Sequence, residues 1–309
     1  MSVAAQIALG SNIGDREAHL RLAVAALAST PGIEVESVSR YCETAPVGGP
    51  TGQSPYLNAA STIRTSLAPE LLLTRLHAIE AEAGRVRTAR WGERTLDLDL
   101  LLYDDLILST PTIEIPHPRM HFRRFVLAPL TEIAPLVIHP RYRRTAAQLL
   151  AHIDRRPSLL ALPGWWERRD LAPILDRVAG CLAGRLVHAR EAKHERPSAI
   201  DPASQESLLA RPPGTLLAPG QFGSPEPGDT WLIADFLPLP LRTGESSGSS
   251  LATAEDGPIP LTLPTLVAQF SDHEPESITE DLGIPILRLR GSSPEEWVEE
   301  LISACLATR

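Results

Sequence analysis

Lysine is almost absent from this chain: Lys193 is the single lysine among 29 basic residues in a length of 309. A phosphate-binding P-loop needs a glycine-rich turn that ends in Gly-Lys followed by Ser or Thr. Lys193 lies in the sequence EAKHER, which offers no such turn. The sequence therefore excludes an intact P-loop, and with it the commonest kinase architecture.

Cysteines and long apolar runs are also scarce. Cys42, Cys181 and Cys305 lie too far apart in the sequence for a disulfide framework or a zinc knuckle, and they fit a reducing compartment. No 18-residue apolar window exists, so no membrane-spanning helix is predicted. The N-terminus lacks the basic and apolar segments of a secretion signal. We expect a cytoplasmic protein without a membrane partner.

Acidic residues are concentrated in the second half of the chain. Residues 1–155 carry 16 arginines and 16 acidic residues, whereas residues 156–309 carry 13 basic and 22 acidic residues, which accounts for the whole net charge of −9. Neither half has the basic excess typical of nucleic-acid-binding proteins, so no nucleic-acid partner is expected. At about 150 residues per domain, the length predicts two domains.

The first half alternates apolar strand patterns with amphipathic helix patterns. Their order, β-α-β-β-α-β, is the signature of a ferredoxin-like α+β domain, to which we assign residues 1–156. Asp15 is the predicted N-cap of the first helix. The predicted strands cover residues 3–9, 33–41, 57–64 and 96–103, and the predicted helices cover residues 16–28, 69–83, 125–134 and 145–154.

The second half, residues 157–309, is predicted to be a smaller α/β domain with a parallel sheet, because its strands alternate with helices. The boundary falls at Pro157-Ser158, where a polar run meets a new apolar segment. Residues 243–257 are rich in Gly and Ser and are predicted to form a flexible insertion. The predicted strands cover residues 159–162, 186–188, 231–236, 266–270 and 286–289, and the predicted helices cover residues 170–182 and 294–306.

The strongest local signal is TLDLDLLLY at residues 95–103. Side chains alternate between the two faces of a strand, so Asp97 and Asp99 share one face. Two carboxylates roughly 6 Å apart repel by about 3 kcal/mol at an effective dielectric of roughly 20. Mg²⁺ is the natural partner that offsets this repulsion, and a solvated strand face held by nearby arginines is the alternative. The opposite face is predicted to hold Leu96, Leu98, Leu100 and Leu102.

An arginine-rich loop precedes the two aspartates. Its arginines are Arg85, Arg87, Arg90 and Arg94. Arginine binds phosphate through planar, bidentate contacts, so this loop indicates a phosphate site next to the predicted metal site. The scarcity of lysine throughout the chain weakens this preference for arginine. Trp91 in the same loop is expected either to stack on a planar ligand ring or to anchor the loop.

Two further segments offer groups that suit ligand binding. His117 lies between two prolines and Arg123 follows it with another cation, so a phosphate contact is one interpretation and a purely structural histidine the other. The loop at residues 44–50 and the segment Tyr56-Leu57-Asn58 supply small residues, an aromatic ring and an amide. Such a loop can close over a flat heterocycle, or it can be a plain turn between strands.

Five segments, taken in order, resemble the motifs of the 6-hydroxymethyl-7,8-dihydropterin pyrophosphokinases. They are ALGSN at residues 8–12, ETAPVG at 43–48, YLNAA at 56–60, GRVRTARWGERTLDLDLLLY at 84–103 and IPHPRMHFRRFVLAPL at 115–130. The resemblance implies a Mg²⁺-dependent transfer of diphosphate from ATP to the pterin hydroxymethyl group. The products would be AMP and the pterin diphosphate, in folate biosynthesis.

The resemblance also implies roles for individual residues. Asp97 and Asp99 would hold two Mg²⁺ ions and, with Arg85 and Arg94, form the catalytic group. The implied ATP-binding residues are His77, Glu80, Arg85, Arg87, Ile113, His117 and Arg123. The implied pterin-binding residues are Thr44, Val47, Tyr56, Asn58, Trp91 and Phe125. Three positions depart from the residues usual in this family: His77 stands where Gln is frequent, Glu93 where Pro is usual, and Arg124 where a small residue is usual.

The second half has a weak resemblance to deoxynucleoside kinases. Residues 159–172 have the strand, turn and helix rhythm of a P-loop entry, but they lack the second glycine, the lysine and the Ser or Thr. Trp165 and Trp166 stand where phosphate would lie. Segments at residues 231–236 and 286–305 are similar to parts of that family. We expect a degenerate, non-catalytic module, and an unrelated α/β appendage is the alternative.

Three classes of function stay open from the sequence. The leading one is a pyrophosphokinase with an appended second domain. The second is a regulatory protein that holds pterin or nucleotide without turnover. The third is a metal-dependent phosphohydrolase, which would release phosphate without any pterin.

Overall fold

The computed structural model describes residues 2–47, 52–85, 93–154, 158–161, 177–178, 181, 184–187, 231–234, 266–270, 286–289 and 293–308. The chain divides into two compact units, whose main parts are Met1–Ala151 and His152–Leu306. Over the described ranges, no helix has both the length and the apolar character needed to cross a bilayer.

An antiparallel sheet forms the centre of the first unit. Its strands are β1 (Val3–Ser11), β2 (Ile33–Val38), β3 (Cys42–Thr44), β4 (Tyr56–Thr65) and β5 (Asp97–Tyr103). The strand order is β2-β4-β1-β5, and the short β3 pairs with β4. Helix α1 (Arg16–Ala28) follows β1, and α2 (Pro69–Glu82) follows β4. The predicted α+β class is confirmed, and β3 is an addition that the sequence pattern did not show.

Both helices cover one face of this sheet. The Asp15 side chain accepts the Ala18 N–H at 3.0 Å, which confirms the predicted N-cap of α1. The core between helices and sheet is built from aliphatic side chains that are almost fully excluded from water, which is the main source of its stability. Its largest members are Ile7, Leu9, Leu20, Leu27, Ile63, Leu72, Leu76, Leu96 and Leu98.

The other face of the sheet is covered by α3 (Arg124–Ile133) and by the chain on either side of it. A short 3₁₀ turn, Met120–Phe122, leads into α3, and α4 (Ala146–Ile153) closes this region. Two small hairpins complete the unit: β6 (Leu108–Ser109) with β7 (Glu114–Ile115), and β8 (Ile138–His139) with β9 (Arg144–Thr145). The core on this face comprises Ala60, Leu101, Leu102, Met120, Val126, Leu130 and Ala146.

The alternation along β5 is interrupted near its end. Leu96, Leu98 and Leu100 pack on the helix side as predicted, but Leu102 packs beside Leu101 in the core on the opposite face. The prediction for Leu102 is wrong because the pairing of β1 with β5 shifts register between Gln6 and Ile7. An irregularity of this kind places two residues of one strand against one of its neighbour and reverses the alternation beyond it. The two aspartates precede the shift.

Aromatic and histidine rings are buried together near the β8–β9 hairpin. The Tyr142 hydroxyl lies 3.2 Å from His121 Nε2, and the His139 ring lies 4.7 Å from the Tyr142 ring. Burial, with the nearby Arg141 guanidinium, lowers the pKa of His139 from 6.5 to about 3. His139 is therefore neutral in the folded protein at ordinary pH.

The neutral His139 predicts a loss of stability in mild acid. Because its folded-state pKa of about 3 lies below the ordinary 6.5, the unfolded chain takes up a proton first as the pH falls. Between about pH 7.5 and about pH 5, we expect the free energy of unfolding to fall by about 2 kcal/mol more in the parent than in His139→Gln. Urea unfolding at the two pH values measures this difference, and equal pH dependence would contradict it.

The described residues of the second unit include five strands that form a parallel sheet, as the alternation of strands and helices predicts. Its strands are β10 (Ser158–Ala161), β11 (Gly184–Val187), β12 (Trp231–Ala234), β13 (Leu266–Phe270) and β14 (Ile286–Leu289), and α5 (Pro294–Ala307) follows them. The strand order is β11-β12-β10-β13-β14, with parallel pairing throughout. The insertion predicted at residues 243–257 and most of the helix predicted at 170–182 lie outside the described residues.

Candidate active site

Asp97 and Asp99 lie at the beginning of β5, on the same face as Leu101. Across the sheet, Asp97 pairs with Gly10 of β1, and Gly10 pairs in turn with Asn58 of β4. The period of two along a strand is thus enough to bring both carboxylates to one side. The antiparallel pairing then places them beside a part of β4 that lies about forty residues away in sequence.

Two guanidinium groups contact the carboxylate of Asp97. Arg85 Nη1 lies 2.7 Å from Oδ1, and Arg94 Nη1 lies 2.6 Å from Oδ2. Burial acts to lower the pKa of Arg94, but the neighbouring Asp97 outweighs it, so the net shift is upward. Arg85, Arg94 and Asp97 therefore form one charge cluster.

Glu80 is a buried carboxyl group that contacts this cluster through Arg85. Its side chain is 3% exposed; Oε1 accepts the Leu98 N–H at 2.8 Å and also contacts the Arg85 guanidinium. Burial raises the pKa of Glu80, and the hydrogen bond from Leu98 opposes that shift. Glu80 holds Arg85 from α2, and its implied role in binding ATP stays a prediction.

Asp99 faces two cationic or polar groups at longer range. His117 Nε2 and Arg123 Nη1 each lie 3.8 Å from Asp99 Oδ2. Burial, followed by the charges of Arg123 and Arg119, lowers the pKa of His117 to about 3, so this ring is neutral. His117 Nδ1 accepts the Arg119 N–H at 3.2 Å. The Nε2 edge of the ring is the one turned towards the aspartate.

A second set of residues borders the carboxylates on the β4 side. Asn58 Nδ2 donates to Thr44 Oγ1 at 2.8 Å. Burial raises the pKa of Tyr56. Its ring borders the same space as Asp97, since a Cβ on Gly10 would lie 3.8 Å from Tyr56 Cδ1 and 3.9 Å from Asp97 Cβ. Arg123 lies over the Phe125 ring at 5.5 Å from the centroid. Amide, phenol and phenyl groups thus adjoin the acid pair.

Gly10 is a site residue that sequence reasoning missed. A Cβ at this position would lie 3.3 Å from Asn58 Oδ1 and 3.9 Å from Asp97 Cβ. A glycine inside an apolar strand often marks a close approach by another group, and that signal was available in the sequence. Its missing side chain leaves open the space between the amide and the acid.

Three of the remaining predicted residues, His77, Val47 and Ile113, belong to the described part of the chain. His77 is exposed on α2, and Val47 is half-buried in the loop after β3. Ile113 is buried in the helix-side core together with Ile115. Arg87 and Trp91 lie outside the described residues, so their predicted roles have no structural description.

The acid pair fits a Mg²⁺ site that is completed by substrate. Mg²⁺ prefers oxygen ligands and is usually bound by one or two carboxylates together with water and substrate phosphates. Asp97 and Asp99 supply such oxygens from one face of β5. In the described part of the chain, no set of three or more His, Cys, Asp or Glu side chains could hold a metal by itself. Two carboxylates on one strand face match the number that a protein usually supplies to Mg²⁺.

Comparison with known proteins gives consistent matches over the first half. The family model of 7,8-dihydro-6-hydroxymethylpterin-pyrophosphokinase (HPPK) matches residues 6–135. The 2-amino-4-hydroxy-6-hydroxymethyldihydropteridine pyrophosphokinase of Synechocystis sp. is 46% identical over 160 residues, which cover 52% of this chain and 81% of that protein. The Bacillus subtilis pyrophosphokinase is 51% identical over 137 residues, which cover 44% of this chain and 81% of that protein.

Among solved structures, Plasmodium falciparum HPPK-DHPS with pteroate matches with a TM-score of 0.40 and 11% identity. That match covers 58% of this chain and 53% of the other, and it is too weak to carry an argument.

The α+β fold, the arginine-ringed acid pair and these matches define the first half as an ATP-dependent transferase. The chain belongs to the 7,8-dihydro-6-hydroxymethylpterin-pyrophosphokinase family. Its N-terminal half is a pyrophosphokinase of folate biosynthesis, which confirms the enzyme rather than the regulatory binding protein. The family match ends at residue 135 and assigns nothing to the second half.

Proposed function

We propose that Asp97 and Asp99 hold two Mg²⁺ ions and that the surrounding arginines bind the triphosphate of ATP. The observation that carries this proposal is the engagement of both Asp97 oxygens by Arg85 and Arg94. Bound Mg²⁺ would neutralise charge on the phosphate oxygens. A triphosphate competes for the same guanidinium donors, so its arrival draws the arginines away from Asp97 and frees that carboxylate.

The proposed reaction is an in-line displacement at the β-phosphorus of ATP. The pterin hydroxyl oxygen forms a bond to this phosphorus, and the bond from the phosphorus to the α-phosphate oxygen breaks, so AMP leaves. Asp97 orients the hydroxyl or accepts its proton. Transfer of this kind depends on positioning and charge stabilisation more than on a reactive side chain. This accounts for a site made of acids and guanidinium groups.

The pterin lies on the β4 side of the acids in this proposal. Asn58 Nδ2 already donates a hydrogen bond to Thr44, so Asn58 Oδ1 is the atom that would accept an N–H from the pterin edge. Tyr56 and Phe125 supply ring faces for stacking. Val47 and Trp91 complete the proposed pocket.

The nucleotide lies on the α2 and β7 side. Arg85, Arg123 and His117 are the proposed phosphate contacts, and Arg87 joins them. Glu80 acts by holding Arg85 in place. His77 and Ile113 are the proposed neighbours of the nucleoside.

The test is AMP release from ATP and 6-hydroxymethyl-7,8-dihydropterin, with and without Mg²⁺. We expect AMP and pterin diphosphate in equal amounts, no product in excess EDTA, and full recovery when Mg²⁺ is restored. Phosphate release without pterin would instead support a metal-dependent phosphohydrolase. Turnover that is unaffected by EDTA would contradict the metal assignment.

We further propose that residues 1–156 form a ferredoxin-like domain and that residues 157–309 form a degenerate, non-catalytic module similar to nucleoside kinases. The strand order supports this, because β10 lies at the centre of the sheet with β12 on one side and β13 on the other. Ligands of open parallel sheets bind outside the carboxyl ends of the strands where the order reverses. The sequence that follows β10 at this point contains no P-loop lysine. An unrelated α/β appendage remains the alternative.

If residues 157–309 form a degenerate module, the full chain should have no nucleoside kinase activity. A deoxynucleoside kinase converts ATP to ADP, whereas the pyrophosphokinase reaction converts it to AMP, so one chromatographic assay separates them. The assay uses the Asp97→Asn variant, in which the first unit contributes little background. Deoxynucleoside-dependent formation of ADP would contradict a degenerate module.

A further inference from the structure

The segment that leads into α3 carries two of the proposed phosphate contacts. It comprises residues 117–123 and is called here the phosphate-side turn. His117 Nε2 at its beginning and Arg123 Nη1 at its end each lie 3.8 Å from Asp99 Oδ2. Because both ends of the turn reach the same carboxylate oxygen, a displacement of the turn would change both contacts together.

The backbone of the phosphate-side turn is fixed at its two ends. The His117 N–H donates to the Leu101 carbonyl on β5 at 2.8 Å, and the Arg123 carbonyl accepts the Leu127 N–H of α3 at 2.9 Å. Between the ends, the Met120 N–H donates to the His117 carbonyl at 3.2 Å, and the Arg123 N–H donates to the Met120 carbonyl at 3.3 Å. These two distances lie at or beyond the upper end of the usual range. The position of the middle of the turn therefore depends on its side-chain contacts.

His121 is a buried polar side chain at the middle of this turn. It is 3% exposed, and its Nε2 lies 3.2 Å from the Tyr142 hydroxyl. Its two neighbours, Met120 and Phe122, are buried apolar residues. Apolar burial has no preferred direction, whereas a hydrogen bond has a preferred distance and angle. The contact with Tyr142 therefore adds a directional restraint that apolar packing does not supply.

Tyr142 is itself held firmly in the β8–β9 hairpin. Its N–H donates to His139 Nδ1 at 3.4 Å, and its ring lies 4.7 Å from the His139 ring. Arg143 closes the hairpin, since its N–H donates to the His139 carbonyl at 2.8 Å. The hairpin lies beyond residue 135, where the family match ends. A part of the chain outside that match thus contacts the turn that carries His117 and Arg123.

We propose that Tyr142 is a positioning residue for the nucleotide. Through His121 it holds the phosphate-side turn where His117 and Arg123 can both contact the triphosphate. This inference rests on the proposed function, because it takes those two side chains as phosphate contacts. Tyr142 touches neither substrate in it. Loss of its hydroxyl weakens nucleotide binding and leaves pterin binding nearly unchanged, because the pterin lies on the β4 side.

The test compares Tyr142→Phe and His121→Phe with the parent in the full chain. Three quantities are measured: hydrogen exchange of the Arg123 amide, the dissociation constant of α,β-methylene ATP with Mg²⁺, and the dissociation constant of the pterin with that analogue at saturation. In each variant we expect about fivefold faster exchange and about fivefold weaker analogue binding, because one buried hydrogen bond is lost while a ring is kept. The pterin dissociation constant should stay within about twofold of the parent.

His121→Gln is the conservative variant that should restore the parent behaviour. Its side-chain amide can replace Nε2 as the partner of the Tyr142 hydroxyl. Exchange and analogue binding should therefore stay within about twofold of the parent. A His121→Gln protein as impaired as His121→Phe would contradict a role for this hydrogen bond.

The double variant, Tyr142→Phe with His121→Phe, tests whether the two residues act through one contact. It should lose about fivefold in analogue binding, as each single variant does, because both substitutions remove the same hydrogen bond. A loss of about twenty-fivefold would show that the two residues act separately, and it would overturn the proposal.

Tyr103→Phe is the matched control. The Tyr103 hydroxyl also makes a hydrogen bond, to the Leu67 carbonyl at 2.8 Å, but Tyr103 lies at the opposite end of β5 from Asp97. All three quantities should stay within about twofold of the parent in this variant. Equal shifts in Tyr103→Phe and Tyr142→Phe would overturn the proposal, and so would a Tyr142→Phe protein that binds the analogue as tightly as the parent.

The exchange measurement requires neither substrate nor turnover. It decides whether Tyr142 holds the phosphate-side turn even if the parent releases no AMP, in which case the proposed function alone fails. Unchanged exchange of the Arg123 amide in Tyr142→Phe would contradict the positioning role in an active parent as well. The two hypotheses are thus tested by different readouts.

Discussion

We expect the replacement of Asp97 by Asn to lower kcat for AMP formation by about a thousandfold or more, because the proposed function makes this carboxylate a metal ligand at the transferring phosphoryl group, where its charge contributes several kcal/mol. The substitution keeps the size of the side chain and one carbonyl oxygen. In the parent, Arg85 and Arg94 contact carboxylate oxygens of Asp97 at 2.7 Å and 2.6 Å, respectively. In the variant, both guanidinium groups face a neutral amide. The Mg²⁺ concentration needed for half-maximal activity should rise as well.

Asp105→Asn is the matched control for this prediction. Asp105 follows β5 by two residues, is exposed, and undergoes the same chemical change. Its kcat should equal that of the parent. Steady-state AMP release across a range of Mg²⁺ concentrations measures both variants. An Asp97→Asn enzyme with activity within about tenfold of the parent would remove the metal role of this aspartate.

Replacing Gly10 by Val should lower kcat/KM for the pterin by about a hundredfold, and Gly10→Ala by about tenfold, because added carbons overfill a closely packed space. The first added carbon would already lie 3.3 Å from Asn58 Oδ1 and 3.8 Å from Tyr56 Cδ1. Valine adds two more carbons between the proposed pterin ligands and Asp97. The loss should increase with side-chain size.

Protein stability and ATP binding are the controls for the two Gly10 variants. Residues with a Cβ are well tolerated inside strands, so thermal unfolding should show folded proteins in both variants. ATP-analogue binding should change less than pterin binding, because the added carbons point between Asn58 and Asp97. A Gly10→Val enzyme that binds the pterin as tightly as the parent would show that the pterin lies elsewhere.

Local patterns in the sequence were enough for much of the first unit. The helix predicted at residues 16–28 matches α1, and the N-cap at Asp15 is present. The placement of Asp97 and Asp99 on one face follows from the two-residue period of a strand. These features depend on neighbours within one or two turns or strand repeats, where backbone geometry alone fixes which side chains lie together.

The failures have a common physical cause in contacts between distant parts of the chain. Leu102 changes face because the register shift lies in the pairing of β5 with β1, which no pattern inside β5 encodes. The hydrogen bond from the Leu98 N–H to Glu80 was not predicted, because Leu98 lies in a different element from Glu80. Gly10 and Asn12 were passed over because their partners lie in other strands and loops.

The amino-acid sequence by itself determined which chemical groups are available: two acids on one strand face, arginines before them, and no lysine for a P-loop. Tertiary structure alone decided how those groups are paired, since it brings Asn12 to Arg94 and Gly10 between Asn58 and Asp97. The reason is that side-chain alternation and helix periodicity are local properties of the backbone. Hydrogen bonds and close packing between segments exist only after the sheet has assembled.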